Sequence, residues 1–198
     1  MRSAHEIDSD DPLALFDLWI KDAEHREPND PNASALATAT PDGRPSVRMV
    51  LVKRIREHRF AFFTNAESRK GEELAENPRV ALCFHWKSLR RQVRVEGDVF
   101  PLPAADVDRY FHSRSRASQI GAAVSRQSRP LASRTELEEQ VSAFTENHPG
   151  EVPRPEYWLG YYVDPAHIEF WMDGAHRLHD RFLYTKETDG WHRVRLYP

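Results

Sequence analysis

The residues best suited to chemistry in this chain are cations set beside hydroxyls, amides and aromatic rings. Arg48 and Lys53 bracket the run RMVLVK (48–53). In a strand, Arg48 shares a face with Val50 and Val52, while Lys53 shares the other with Met49 and Leu51. Both cations then lie on largely apolar faces. Two readings stay open: stems snorkelling at a strand end, or buried charges awaiting an anion, since an unpaired one is costly. Ser68-Arg69-Lys70 opens a helix. A helix N-terminus with two cations suits a phosphate, although a solvated first turn has the same pattern. In Arg90-Arg91-Gln92-Val93-Arg94, Gln92 and Arg94 alternate onto one face, where Gln92 bonds the edge of a heterocycle or faces water. Tyr110 and Arg114 are four apart and share a helical face, with Ser118 and Gln119 following. A phenol, a guanidinium and a hydroxyl converging on one point make a phosphate pocket. An amphipathic helix with Tyr110 and Phe111 in the core gives the same spacing. The segment 171–181 (WMDGAHRLHDR) packs two histidines and two arginines into eleven residues. His176-x-x-His179 has the spacing of a metal pair, but no further ligand pattern accompanies it and no metal is expected. Arg177 and His179, two apart at a strand edge, can point into one cavity and orient a substrate.

These residues need elements to position them. Asp11-Pro12 reads as an N-cap followed by proline at the first helical position, with a helix running through Leu15, Leu18 and Trp19 toward Glu24. Strands are expected over 34–40, 46–55 and 58–64, with a turn at Pro41-Asp42-Gly43. Ser68 starts a short helix that Asn77-Pro78 ends. Strands 80–86 and 92–100 follow, then helices over 104–113 and 118–124. The capping box Ser133-x-x-Glu136 opens another helix that reaches about Glu146. The chain returns to strands at 157–163 and 167–171. It closes on a hairpin, 180–184 with 191–196, around Asp189-Gly190. Strands, then helices, then strands indicate an α+β plan: an antiparallel, closed or partly closed β-barrel with helices around it. No Gly-x-Gly-x-x-Gly and no Gly-x-x-x-x-Gly-Lys occurs, so side chains must hold any phosphate.

The charge balance points the same way. The chain of 198 residues carries a net charge of -3 and suits one domain, with residues 1–10 as a flexible N-terminal arm. The arginine-rich middle, residues 44–134, holds 19 basic and 9 acidic side chains, and both flanks are acidic. Of the 28 basic residues, 23 are arginine, whose planar fork suits phosphate. Acidic flanks without a basic-aromatic motif argue against nucleic acid. No apolar run has the length of a membrane span. The acidic start MRSAHEIDSDDP lacks the apolar stretch of a signal peptide. Cys83 is the only cysteine. It fits a reducing cytoplasm and excludes a cysteine zinc cluster.

Five separated motifs together resemble the pyridoxine/pyridoxamine 5′-phosphate oxidase family. They are RMVLVK (48–53), FFTNAESRKGEEL (62–74), RQVRVEG (91–97), YFHSRSRASQIGAAVSRQS (110–128) and EFWMDGAHRLHDRFLY (169–184), and they occur in family order over nearly the whole chain. The resemblance implies an FMN-binding split barrel, with FMN at the interface of a homodimer. It implies that Arg48, Met49, Val50, Lys53, Phe63, Thr64, Arg69, Lys70, Gln92, Gln127, Ser128, Trp171 and Arg181 hold the cofactor. Lys53, Tyr110, Arg114 and Ser118 would clamp the phosphate of pyridoxamine or pyridoxine 5′-phosphate. Arg177 and His179 would lie over the pyridine ring as the catalytic pair. The implied reaction moves a hydride from the substrate C4′ carbon to the flavin. O2 then takes up the electrons as peroxide, and the amine substrate releases ammonia. Neither a covalent nucleophile nor a metal is implied. One departure stands out. The family's N-terminal Arg-x-x-Tyr pattern is missing, since the first tyrosine is Tyr110, and Arg2 is not assigned that role. Rival readings are a phenazine-type flavin oxidase on the same fold and a flavin or pyridoxal-phosphate carrier without turnover.

Overall fold

The computed structural model describes residues 9–198. Most of the expected N-terminal arm, including Arg2, lies outside the described residues. Helix α1 (Pro12–Arg26) starts as its sequence requires: the Asp11 carboxylate accepts the N–H groups of Leu13 and Ala14 at 2.8 and 3.2 Å, and Pro12 begins the first turn. Its buried face carries Leu15, Phe16, Trp19 and Ala23. Phe16 meets Phe60 and Phe84 edge-on at 4.8 and 5.1 Å, and Trp19 meets Phe170 at 5.0 Å. Just ahead of the helix, the Ser9 carbonyl accepts the Tyr184 hydroxyl at 2.6 Å.

The strands are β1 (Ala33–Ala39), β2 (Pro45–Leu51), β3 (Lys53–Ile55), β4 (His58–Asn65), β5 (Arg79–Trp86), β6 (Arg91–Pro101), β7 (Trp158–Met172), β8 (Asp180–Glu187) and β9 (Gly190–Arg195). The remaining helices are α2 (Arg69–Glu76), α3 (Ala104–Ser113), α4 (Arg116–Val124) and α5 (Arg134–Asn147). Every strand pair is antiparallel. The sheet runs β2-β1-β5-β6-β7-β4-β3, with β8 and then β9 branching from β7. Period-two alternation turns Leu36, Leu82, Phe84, Val93, Val95, Ile168 and Phe170 into one core under α1. A second cluster, with Ala61, Phe111, Ile120 and Trp158, packs the helical side against the outer face of β4. The fold is the expected α+β split barrel.

Two expectations need correction. The strand expected over 46–55 is broken at Val52, which lies between β2 and β3, and the Val52 N–H bonds the Asn32 carbonyl at 2.9 Å. The run is β-favouring throughout, so composition did not mark the break. Conversely, the strands expected over 157–163 and 167–171 are one strand, β7. Its start pairs with β4 and its end with β8, while β6 follows it along both halves. The register shift falls at Glu96/Gly97, opposite His167 and Pro165, and leaves Ala166 of β7 unpaired in the ladder. A Cβ on Gly97 would stand 2.1 Å from the Asp164 carbonyl oxygen, so only glycine lets the strands meet there. This bulge bends β7 between its two partners and splits the barrel.

Candidate active site

Helix α2 supplies the centre of positive charge. Ser68 caps it, and Lys70 in its first turn is buried. Lys70 Nζ donates to Thr64 Oγ1 at 3.0 Å, Ser68 Oγ at 3.1 Å and Gln127 Oε1 at 2.7 Å. All three acceptors are neutral. Burial, and then repulsion from Arg48, lower the Lys70 pKa from 10.5 to about 8, against the pull of Glu73. Glu73, one turn on, is 4% exposed. It receives Ser46 Oγ at 2.5 Å, the Thr38 hydroxyl, Arg69 Nε at 2.9 Å and Arg48 Nη2 at 3.4 Å. Burial alone would raise its pKa. The hydrogen bonds from Ser46, Thr38 and Arg69, with the Arg69 charge, overcome this and hold it at about 2. Three cations therefore share one carboxylate, which leaves two positive charges over, the match of a phosphate dianion.

The helical side supplies a second cation. Tyr110 stacks on Phe63 at 3.9 Å, and Phe63 stacks on Trp158 at 5.2 Å. The Arg114 guanidinium lies 5.1 Å from the Trp158 ring centre. Its Nη1 is buried and has no hydrogen-bond partner among the described residues. Burial lowers the Arg114 pKa, against the pull of Tyr110. Burial also raises the Tyr110 phenol, so it remains a donor. Gln119 Nε2 holds the Arg114 carbonyl at 2.9 Å. Ser118, in the first turn of α4, accepts from the capping Ser115 hydroxyl at 2.8 Å, which leaves its own O–H to donate outward.

One cleft of about 510 Å³ joins both halves. Among the expected site residues it brings together Met49, Val50, Phe63, Thr64, Lys70, Tyr110, Arg114, Ser118 and Gln127. Asn65 and Trp158 line it too, and sequence reasoning did not single them out. A different cleft of about 410 Å³ lies beside α1, but there Arg54 and Arg59 both pair with Asp17 at 3.1 Å. Its guanidinium charges are therefore compensated. Lys53 borders that second cleft. Its register opposite Ala61 nevertheless puts it on the sheet face that carries Phe63.

The other expected residues stand elsewhere. Arg48 and Arg69 are engaged by Glu73 at the back of the Lys70 site, so Arg48 neither snorkels nor lacks a partner. Ser128 is exposed beside Gln127, with φ at +71°. Gln92, Trp171 and Arg181 are direct cross-strand neighbours on β6, β7 and β8. They form one row on the outer face, and β7 pairs with β4 only through its first half, away from Trp171. Arg181 donates to Glu169 at 2.8 Å. The expectation that Arg177 and His179 flank a strand edge needs correction. They lie in the turn before β8, where His176 and Arg177 take positive φ of 57° and 64°. Neither reaches the cleft of its own chain. Glu73 is the functional neighbour that sequence reasoning passed over. The i,i+4 spacing of Arg69 and Glu73 was the available signal.

Fold and cleft define an antiparallel split-barrel protein that binds phosphorylated ligands with flat rings. Residues 20–148 match the family model described as pyridoxamine 5′-phosphate oxidase, and residues 158–198 match that of the pyridoxine 5′-phosphate oxidase C-terminal dimerisation region. The chain is 58% identical over 189 residues to the pyridoxine/pyridoxamine 5′-phosphate oxidase of Gluconobacter oxydans, covering 95% of this chain and 94% of that one. It is 56% identical to the enzyme of the same name from Rhodospirillum rubrum, covering 97% and 98%. Among solved structures it resembles PhzG from Burkholderia lata 383 in complex with tetrahydrophenazine-1-carboxylic acid, with a TM-score of 0.91, 30% identity and 97% and 95% coverage. The chain belongs to the pyridoxamine 5′-phosphate oxidase family.

Two outcomes follow from the charges. Glu73 stabilises the fold fully above the ordinary carboxylate pKa of 4.5 and loses that contribution as pH falls toward 2. Glu73→Gln leaves Arg48 without its counter-ion, at a cost on the order of 3 kcal/mol. Thermal melts should show a lower Tm for the variant at pH 7 and a smaller loss of Tm than in the parent between pH 4.5 and 2. Lys70 in the ligand-free protein deprotonates near pH 8. Affinity for FMN should then fall about tenfold per pH unit above 8, and titration by flavin fluorescence from pH 7 to 10 measures it.

Proposed function

We propose that the protein is an FMN-dependent oxidase converting pyridoxamine 5′-phosphate and pyridoxine 5′-phosphate to pyridoxal 5′-phosphate. O2 is the acceptor, H2O2 is formed, and the amine substrate releases NH3. The observation that carries this reading is a single cleft holding two separate cationic centres, Lys70 on α2 and Arg114 between α3 and α4. One suits the phosphate of FMN and the other the phosphate of the substrate.

The residues present fit FMN. Lys70, backed by Arg48 and Arg69, would hold its phosphate, and Thr64 and Gln127 already sit on the Lys70 ammonium. When bound, FMN supplies the two-electron acceptor that no side chain can provide. Arg114, Tyr110 and Ser118 bind and orient the substrate phosphate, with Lys53 reaching in from the same sheet face. Phe63, Tyr110 and Trp158 form an aromatic wall that keeps water from one side of the cleft.

Gln92, Trp171, Arg181, Arg177 and His179 complete the site from a second copy of the chain. The protein is a homodimer, as its C-terminal dimerisation region requires. The exposed outward row Val47, Met49 and Leu51 on edge strand β2 offers the partner an apolar border. Residues 1–198 act as one domain in this reading, because β7 joins both matched segments in one sheet. The place of action is the cytoplasm, in keeping with the free thiol of Cys83. Among the described residues no helix is long and apolar enough to cross a membrane.

The test is an aerobic assay of FMN-loaded protein with both phosphorylated substrates, reading aldehyde and peroxide. A protein that holds FMN but forms no aldehyde would be a carrier. Turnover of a reduced phenazine carboxylate in place of the B6 esters would favour the PhzG-like reading. Arg114→Ala removes a charge-assisted contact of about 1.5–3 kcal/mol. It should raise KM for either ester about 10- to 100-fold while FMN content stays unchanged. An unaltered KM would overturn the clamp.

A further inference from the structure

The corner between α3 and α4 holds a buried polar side chain that the phosphate clamp leaves without a role. Only Arg114 and Ser115 separate the two helices. Gln119, in the first turn of α4, is 9% exposed, while its neighbour Ser118 is open to solvent. The Gln119 Nε2 donates to the Arg114 carbonyl at 2.9 Å and, less closely, to the His112 carbonyl at 3.4 Å. Turning the amide over would set Oε1 against two carbonyl oxygens, so the nitrogen faces them. Carbonyls at a helix C-terminus have no partner within their own helix, and Gln119 supplies one from the next.

Arg114 needs this support because its own side chain is loosely held. Arg48 and Arg69 are aimed by Glu73, and Arg181 by Glu169. The Arg114 guanidinium rests on the Trp158 ring at 5.1 Å, and its Nη1 has no hydrogen-bond partner among the described residues. A carboxylate there would fix the guanidinium but cancel the charge that is to meet a phosphate. A hold on the backbone leaves that charge intact. Ser115 braces the same corner: its Oγ donates to Ser118 Oγ at 2.8 Å, and its carbonyl accepts the Gln119 N–H at 3.0 Å. Gln119 thereby joins the Arg114 backbone to the turn of α4 that carries Ser118.

We propose that Gln119 is a positioning residue for the substrate phosphate. It ties the Arg114 carbonyl to α4 and so sets the Arg114 guanidinium and the Ser118 hydroxyl at one spacing. Arg114 and Ser118 line the cleft and Gln119 does not, so it acts through them and touches no ligand itself. This rests on the reading of Arg114 as the clamp of the substrate phosphate. A neutral amide suits the task, because it offers donors to the carbonyls and brings no charge to compete with the guanidinium.

Gln119→Met keeps the length of the side chain and removes the donor. In FMN-loaded protein, equilibrium dialysis measures the binding of pyridoxal 5′-phosphate and of pyridoxal, which lacks the phosphate. The variant should bind the ester about 10-fold more weakly than the parent, with pyridoxal affinity and FMN content unchanged. In an Arg114→Ala background, Gln119→Met should cause no further loss. Ester binding equal to the parent's overturns the proposal. So does an equal loss for ester and pyridoxal, or a loss that persists in full in the Arg114→Ala background. Gln119→Ala, which keeps α4 helical, repeats the measurement should the methionine variant not fold. Binding is read without turnover. A parent that binds the ester but forms no aldehyde would therefore sink the oxidase reading while Gln119 is still judged on its own titration.

Discussion

The site depends on one buried carboxylate. Glu73 lies beneath β1 and β2, where Thr38 and Ser46 donate to it, and it ties Arg48 and Arg69 to helix α2. Without a counter-ion, three cations in so small a volume would repel one another and pay the cost of desolvation. With two carboxylates the charge would be nearly cancelled and no anion would be drawn in. A single carboxylate stabilises the cluster and still leaves Lys70 with only neutral partners. Its depressed pKa records that deficit, which a phosphate would relieve.

The geometry around this charge comes from β7. Its first half pairs with β4, which presents Phe63 and Thr64 to the cleft, and its second half pairs with β8, which carries Arg181. Gly97 allows the bend between the halves. The same strand therefore serves two surfaces of the molecule: the wall of the cleft and the outer row Gln92-Trp171-Arg181.

Much of this was legible in the sequence where local chemistry decides the outcome. Asp11-Pro12 places the start of α1, Ser68 that of α2, and the bounds of α3 at Ala104 and Ser113 need no tertiary information. The ambiguity at Tyr110 resolves as both readings at once. Phe111 is fully buried in the core, while Tyr110 is half-buried and lines the cleft. Long-range partners were not legible. Glu73 follows Glu72 and has the look of a solvated charge, and nothing local says that Arg48 and Thr38, more than twenty residues away, close over it. The break at Val52 was hidden because every residue around it favours a strand. The continuity of β7 was hidden for the opposite reason: Asp164-Pro165 has the signature of a stop, yet the bulge at Ala166 lets the strand run on past the proline.

The division of the expected residues between two surfaces has a physical logic. Gln92, Trp171 and Arg181 share no cleft with Lys70 and Arg114 in one chain. The row Met49, Ala35, Cys83, Arg94, Glu169, Leu183 and Val194 crosses seven strands on one continuous outer face. In the proposed dimer, two such faces in apposition would set the cleft of one copy against the Trp171 and Arg181 of the other. Arg94 and Arg181 are already locked on Glu169, at 3.0 and 2.8 Å. The donors that a partner would bring in that dimer are thus already fixed within their own chain. Association then joins two preorganised halves, and little side-chain ordering is left for the ligand to drive.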